Sequence, residues 1–491
     1  MADSRSPSRD AIGFATLAGS TGVAGSYAVA GYSPEFLVAP IDDLVVRATP
    51  GPIVAWIIVN VGEQGHLLHI ALSFVIATGL LAGTAIVGLF AARRFDSPVI
   101  GSGLAGLFAW GLTASLTAEP LLAAGAAVPV AAFTAVGATP VAARDHDPSR
   151  RRALISSVSA VAFLGAAIGL RRLTADDDVA GGSGTTDDEV ATLLQEAEAK
   201  SLDIRGDVPG LVSTIEEFYN VDIAQFDPEL APADWSMTIT GEVGDDVTVT
   251  FDELTDMPTE HRFVTLRCVG ENLNGKKLDT AVWTGTPIES VLEAADPAGE
   301  CGCAMLRAED GYFVQFPIEA LESGFLAWGM NGRSLPQSHG HPVRVLIPGH
   351  WGETNVKWLA EIELLDEEMD GYWEQRGWHG TGPVSTVAKL WSDTVLADGN
   401  LEVAGHAYAG TRGIERVEVS TDGGSIWQDA ELSEPLPGTD VWRQWRYEFE
   451  PDGSHEVVVR AIDGEGNLQP EERSDAFPSG ATGWVTKTIG G

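Results

Sequence analysis

Basic residues and cysteine are both scarce in this chain of 491 residues, a length that predicts two to four domains. Residues 1–172 contain no lysine and carry 10 acidic and 11 basic residues, whereas residues 173–491 carry 60 acidic and 19 basic residues. Nucleic acid is excluded as a partner, because phosphate binding needs clusters of Lys and Arg. Trp, Val and Leu recur throughout the acidic part, so it is predicted to fold, and its surface is typical of halophilic proteins, which work in high salt.

The three cysteines, Cys268, Cys301 and Cys303, are too few for a disulfide framework. Cys301 and Cys303 are expected to be too close for a relaxed disulfide, and two thiols do not make a metal site, so we interpret this pair as structural. Cys268 follows an apolar run predicted to be a β-strand that ends in a glycine-bearing turn. A thiolate at such a strand end can hold a soft or redox-active metal, and a buried structural cysteine is the alternative.

Residues 1–172 contain several apolar stretches close to the ~20 residues that cross a bilayer as a helix. Their abundant Ala and Gly suit close helix packing in lipid. Residues 50–62 are apolar but short, and are predicted to be interfacial or re-entrant, with a sixth span as the alternative. The predicted spans cover about 11–30, 67–91, 99–117, 121–142 and 153–170.

The arginines around these stretches predict a topology. Most lie on the side that the positive-inside rule makes cytoplasmic, so this is predicted to be a multi-pass protein of the cell membrane with its C-terminal domains outside. Arg47, Arg171 and Arg172 fall on the opposite side. Residues 149–155 resemble a twin-arginine export signal, with a plain positive-inside anchor as the alternative. His66 and His69 are interpreted as interfacial residues and not as haem ligands.

The acidic part is predicted to contain three segments. Residues 173–204 are interpreted as a flexible acidic linker with a short helix, residues 205–383 as an α+β domain, and residues 384–491 as a β-sandwich of immunoglobulin type. Short strands separated by glycine-bearing turns indicate the sandwich. Its expected core tryptophans are Trp427, Trp442 and Trp445.

Six short motifs follow one another in the α+β segment, and a seventh lies in the sandwich. They occupy residues 218–222, 266–270, 309–312, 330–332, 339–349, 355–359 and 413–420. In sequence and order they resemble those of the sulfite-oxidase family of molybdopterin oxidoreductases. The resemblance covers nearly all of residues 205–491, and the sandwich resembles the dimerisation domain of that family, which implies a homodimer.

The resemblance implies that Cys268 ligates molybdenum, or tungsten in its place, while a pterin dithiolene supplies two further sulfurs. Arg344 and Lys357 suit the anionic phosphate of the pterin, and pairing with neighbouring surface acids is the alternative. The implied activity is oxygen-atom transfer, with electrons passing singly to or from an unidentified redox carrier. The implied cofactor-binding residues are Tyr219, Asn220, Asp222, Asp310, His339, Arg344, Asn355, Val356 and Lys357.

Two residues depart from the family pattern. Sulfite oxidases carry an arginine where this chain has Asn220 and a tyrosine where it has Trp378, so sulfite would lack a guanidinium partner unless Arg267 or Arg376 substitutes. Three functions stay open. They are a membrane-anchored, exterior-facing enzyme acting on a small oxo-anion, a reductase of S-oxides or N-oxides on the same scaffold, and a cofactor-free surface binding or scaffold protein.

Overall fold

The computed structural model describes residues 9–61, 65–139, 187–224, 226–297 and 301–490. These residues belong to two compact units. One comprises residues 1–50 and 61–179, and the other comprises residues 51–60 and 180–491. The fifth predicted span, the twin-arginine motif and residues 173–186 of the predicted linker lie outside the described residues.

The first unit is built from helices that approach one another closely at glycines. Gly88 and Gly101 face each other across two helices, where a Cβ on either would lie 2.5 Å from the backbone oxygen of the other. Gly25 and Gly125 form a second such crossing. Small residues at helix crossings are typical of packing in lipid. The helices are α1 (Arg9–Ala30), α2 (Val38–Ala48), α4 (Gly65–Arg94), α5 (Pro98–Thr117) and α6 (Ala124–Ala138), while α3 (Gly51–Asn60) belongs to the second unit.

Among the described residues, two helices are long and apolar enough to cross a membrane. They are Leu67–Arg94 and Pro98–Thr117, which coincide with the second and third predicted spans. The first predicted span forms the 22-residue helix α1, which does not meet the same criteria of length and hydropathy, and the fourth forms the 15-residue helix α6. Residues 50–62 contain the ten-residue helix α3, which is shorter than the ~20 residues of a full span.

The second unit begins with α7 (Asp188–Lys200) and then forms a mixed domain of two five-stranded sheets. One sheet has the order β2-β1-β10-β5-β6, in which β1 and β10 are parallel. The other has the order β3-β4-β7-β8, with β9 paired to β7. The strands are β1 (Ser236–Gly241), β2 (Val247–Thr250), β3 (Glu260–Arg267), β4 (Leu278–Pro287), β5 (Cys303–Ala308), β6 (Phe313–Pro317), β7 (Phe325–Met330), β8 (Arg333–Ser334), β9 (Arg344–Leu346) and β10 (Leu359–Leu365). Short helices α8 (Phe251–Thr255), α9 (Glu289–Ala295) and α10 (Ile318–Glu322) complete this α+β domain.

The last part forms a β-sandwich whose two sheets share one core. Trp442 and Trp445 are fully buried there, as expected. The prediction for Trp427 was wrong, because its ring is only partly buried and lies under the guanidinium of Arg460. One sheet contains β11 (Val387–Ala388), β12 (Ser392–Val395), β13 (Leu401–Tyr408), β16 (Glu431–Leu432) and β17 (Arg443–Phe449). The other contains β14 (Ile414–Ser420), β15 (Gln428–Asp429), β18 (His455–Asp463) and β19 (Val485–Ile489).

Cys301 and Cys303, interpreted from the sequence as a structural pair too close for a relaxed disulfide, are joined by a disulfide. Gly302 between them has a φ of +63°, a left-handed conformation that glycine adopts without steric cost. This turn brings the two Cα atoms to 5.2 Å, within the range of roughly 4.4–6.8 Å that disulfides use. The disulfide borders a small cluster with Met305 and Leu365.

Candidate active site

The thiol of Cys268 lies directly after β3, as the sequence predicts. Its backbone N–H donates to the oxygen of Lys277 at 3.0 Å, and the side chain is free and half-buried. Burial raises the pKa of the Cys268 thiol, and the charge of Lys277 lowers it. In the part of the chain that the structure describes, no three His, Cys, Asp or Glu side chains converge to hold a metal. A metal bound by Cys268 would therefore take further ligands from a cofactor.

Arg267, next to the thiol, points away from it into the protein. Its Nε donates to Glu271 at 2.9 Å, and its two terminal nitrogens donate to the backbone oxygens of Ser385 and Ala481. Arg376 is likewise engaged, since it donates to the oxygen of Tyr372 and lies over that ring at 3.6 Å. Because both side chains are engaged in these contacts, neither arginine is free to replace the arginine that the family pattern has at the position of Asn220.

Arg344 is a buried cation with no ion pair to a carboxylate in the described ranges. Its terminal nitrogens donate to the backbone oxygens of His339 and Asn355, and its guanidinium carbon lies 5.1 Å from the ring centre of Trp283. The Nε atom is buried without a hydrogen-bond partner. Burial lowers the pKa of Arg344 to about 10, so the group stays charged at neutral pH. A buried charge of this kind is stabilised by an anion.

Lys357 gathers three of the residues that the sequence singles out. Its ammonium group donates to Asn220, to Asp222 at 2.9 Å and to the backbone oxygen of Ser338 at 2.7 Å. Burial lowers the pKa of Lys357, while Asp222 raises it. Asp310 also faces this cluster, and burial, with Asp222 adding to it, raises the pKa of Asp310 to about 6.

His339 packs at the side of the buried guanidinium. Its ring meets Phe218 edge-on at 5.6 Å, and its Nε2 lies 3.4 Å from the oxygen of Ile215. Burial, followed by the charges of Arg344 and Lys357, lowers the pKa of His339 to about 4. The imidazole is therefore neutral at physiological pH.

Tyr219 is close enough to the Cys268 thiol and the Arg344 guanidinium for both charges to affect its pKa. A Cβ on Gly352 would lie 2.7 Å from its hydroxyl, so glycine at 352 makes room for this ring. Burial raises the pKa of Tyr219 well above its usual value, and the nearby charge of Cys268 adds to this effect. The neutral phenol is therefore available as a hydrogen-bond donor.

Asn355 and Val356 have structural roles in the described contacts. The side-chain oxygen of Asn355 accepts from the N–H of Ile347 at 2.8 Å, and its amide nitrogen donates to Trp351. Val356 is buried in the core of the domain. The contact of this segment with Arg344 is made by the backbone, because the main-chain oxygen of Asn355 accepts from the Arg344 guanidinium.

Sequence reasoning missed several residues around the site. Glu353 and Glu374 are neighbouring buried carboxyl groups, and the charge of Glu374 raises the pKa of Glu353 in addition to burial. Glu271 and Lys389 form a buried ion pair. The one available signal was that Glu353 lies two positions before Asn355 in the sequence. That signal is weak, because only tertiary packing shows which acidic side chains are buried.

Two family models match the second unit. The oxidoreductase molybdopterin binding domain matches residues 223–373, and the Mo-co oxidoreductase dimerisation domain matches residues 384–478. These matches and the site define a molybdopterin-binding oxidoreductase.

Several known proteins are similar to this chain. Mitochondrial sulfite oxidase of Mus musculus is 27% identical over 298 residues, which cover 50% of this chain and 55% of that protein. Sulfite oxidase of Arabidopsis thaliana is 27% identical over 302 residues, covering 48% and 77%. The sulfane dehydrogenase SoxCD from Paracoccus pantotrophus aligns with a TM-score of 0.46 and 19% identity over 64% of this chain and 93% of that one. This chain belongs to the sulfite-oxidase family of molybdopterin oxidoreductases, and it spans about half the length of the mammalian relatives it matches.

Proposed function

We propose that this protein is a membrane-anchored, molybdopterin-dependent oxidoreductase that catalyses oxygen-atom transfer on the exterior side of the cell membrane. The observation that carries this proposal is the free Cys268 thiol at the end of β3, in the same domain as a buried Arg344 that has no carboxylate partner among the described residues and an Nε without an acceptor. A thiolate and an anion-binding group in one domain suit a cofactor that has both a metal and a phosphate.

The residues present fit the cofactor. Arg344 and Lys357 would hold the phosphate, with Asn220, Asp222 and Asp310 around the ammonium group and Tyr219 and neutral His339 as hydrogen-bonding groups. The backbone at 355 and 356 would line the same site. Cys268 would ligate the metal. Once bound, the molybdenum-molybdopterin cofactor, or its tungsten form, would supply two-electron oxygen-atom transfer coupled to single-electron exchange with a redox carrier.

The residues that depart from the family pattern favour a second candidate within the same class. Asn220 is engaged by Lys357, Arg267 and Arg376 are held by backbone oxygens, and Trp378 is buried with its indole N–H unpartnered. A small oxo-anion such as sulfite would meet fewer cationic donors here than the family pattern provides. A neutral S-oxide or N-oxide, which accepts one hydrogen bond at its oxygen, suits the indole N–H. Dye-linked oxidation of sulfite compared with dye-linked reduction of sulfoxides separates the two.

Anchoring and assembly form the remaining part of the proposal. The apolar helices Leu67–Arg94 and Pro98–Thr117 support membrane attachment, and the arginine distribution of residues 1–172 supports exterior C-terminal domains. The match to a dimerisation domain supports a homodimer. The redox partner would be a one-electron carrier.

The deciding experiment is the molybdenum, tungsten and released pterin content of the full chain purified in high salt. We expect near-stoichiometric metal that is lost in Cys268→Ala. Metal-free protein from a host that makes the cofactor would instead support the third function, a cofactor-free surface binding or scaffold protein.

A further inference from the structure

The segment that follows Cys268 is held mainly by the C-terminal sandwich domain and its leading strand. The amide nitrogen of Asn274 donates to the oxygen of Leu390 at 2.8 Å, and its amide oxygen accepts from the N–H of Leu390 at 2.8 Å. The oxygen of Gly275 accepts from the indole of Trp391 at 3.1 Å and from Lys389 at 3.0 Å. These bonds cross from one matched domain to the other, so the shape of this loop depends on both.

Three fully buried charges meet in the same place. A single carboxyl oxygen of Glu271 accepts from the Nε of Arg267 at 2.9 Å and from the ammonium of Lys389, while its other oxygen accepts from the N–H of Lys277. The side chains of Arg267 and Lys389 are both 0% exposed, and that of Glu271 is 2% exposed. The cluster carries one net positive charge out of contact with water.

This cluster is close to the thiol in sequence and in space. Arg267 precedes Cys268, Glu271 lies three residues after it, and the thiolate charge contributes to raising the pKa of Lys389. Burial nevertheless lowers the pKa of Lys389 to about 8, which leaves the ammonium charged at neutral pH. Burying such charges is costly even when they are paired, so this cluster is weak evidence of net stabilisation and a role in the site is the hypothesis to test.

We propose that Lys389, acting through Glu271 and the loop after Cys268, is a positioning residue by which the C-terminal domain holds the metal ligand and raises the reduction potential of the bound metal. The inference rests on the proposed function. The dimerisation domain would then have a second task, to complete the active site of its own chain. A buried positive charge favours the more reduced, more negative state of a nearby metal, because a low dielectric screens it poorly.

Lys389→Met and Lys389→Arg in the full-length, metal-loaded protein test this. Lys276→Met is the matched control, because Lys276 lies in the same loop but is exposed and pairs only with Asp207 at 3.2 Å. Metal content, thermal unfolding and the midpoint potential of the metal, followed by electron paramagnetic resonance, are the readouts. We expect Lys389→Met to lower the potential, Lys389→Arg to restore most of it, and Lys276→Met to leave it at the wild-type value.

Asn274→Ala is the second variant, because it loosens the loop without changing charge. We expect it to reduce metal content with little shift in the potential of the metal that remains. A Lys389→Met protein with wild-type potential and metal content but lower thermal stability would show that the lysine is only structural and would overturn the inference. If Lys389→Met does not fold, a Lys389→Arg protein that keeps the charge but has a potential well below the wild-type value would overturn it too. Metal-free wild-type protein would refute the proposed function itself. Failure of the present inference is distinguishable from that result, because it would appear only as a difference between variants and metal-loaded wild type.

Discussion

The Nη2 of Arg344 donates to the backbone oxygen of Asn355 at 2.9 Å, and this buried guanidinium forms no ion pair with a carboxylate in the described ranges. Its neighbour Lys357 is compensated by Asp222, whereas Arg344 is compensated only by neutral oxygens and the ring of Trp283. A cation buried in this way is costly alone and binds an anion strongly.

Replacing Arg344 is therefore expected to reduce cofactor binding more than it reduces the stability of the fold. Arg344→Met removes the charge and both donor pairs, and Arg344→Lys keeps the charge but loses the planar fork. A hydrogen bond to a charged group contributes about 1.5–3 kcal/mol, so pterin retention should fall at least about tenfold in Arg344→Met and less in Arg344→Lys. Pterin released per protein measures this. Arg333→Met, at an exposed arginine, is the control, and equal pterin content in Arg344→Met and Arg333→Met would contradict the assignment.

Glu353 and Glu374 predict a loss of stability as the pH rises from about 4.5 to about 8. Their carboxyl groups lie at hydrogen-bonding distance of each other, and two carboxylates have only acceptors, so one of them must carry a proton. Burial and mutual repulsion raise the pKa of Glu353. Folding raises the pKa of Glu353. At pH values between the usual glutamate pKa and the raised one, the native state therefore binds more protons than the unfolded chain. The free energy of unfolding should therefore fall as pH rises, by up to about 1.4 kcal/mol per pH unit for a full proton.

Glu353→Gln should remove most of this dependence, because the amide stays neutral and can donate to Glu374. Urea unfolding of wild type and variant between pH 4.5 and 8 measures the slope. Glu367→Gln is the control at an exposed glutamate of the same domain. Parallel slopes in wild type and Glu353→Gln would exclude a shared proton.

The position of Cys268 could be predicted from the sequence. A strand pattern followed by Gly270 indicates where the strand ends, and this local signal does not depend on which strands β3 pairs with. The same holds for β1, β2, β10 and the paired strands of the sandwich. Lys357 and Asp222 could be named from motifs, but their ion pair joins residues 135 positions apart, which no local pattern encodes.

The errors have physical causes. The contact between Cys301 and Cys303 depends on the left-handed φ of Gly302, and Trp427 packs under the guanidinium of Arg460 instead of in the sandwich core. Glu271 and Lys389 would be assigned to the surface from the sequence, because glutamate and lysine are usually exposed. Their burial follows from the packing of one domain on the loop of another.

Helix packing in the first unit predicts a graded response to volume. Gly88 of α4 would place a Cβ 2.6 Å from that of Ala105, whereas Gly83 on the same helix has nothing within 4 Å. Gly88→Val should therefore lower stability by about 1–3 kcal/mol through overpacking, and Gly83→Val should have little effect. Thermal unfolding of the first unit in detergent compares the two. An equal loss in both variants would mean that helix propensity, and not the crossing, determines the outcome.

His339 predicts a slope opposite to that of Glu353. Burial and the charges of Arg344 and Lys357 lower its pKa to about 4, below the usual 6.5, because protonation would place a third cation beside two others. Between these values the unfolded chain binds more protons than the native state, so the free energy of unfolding should rise with pH, by up to about 1.4 kcal/mol per unit.

His339→Gln should flatten that rise, since glutamine does not titrate, and His379→Gln, at an exposed histidine, should leave it in place. Unfolding by urea between pH 4 and 6.5 measures both slopes. A slope that survives in His339→Gln would mean that other groups carry it and that His339 is charged in the folded protein. In that case the ring would act as a third cation toward the pterin phosphate and not as a neutral hydrogen-bonding group.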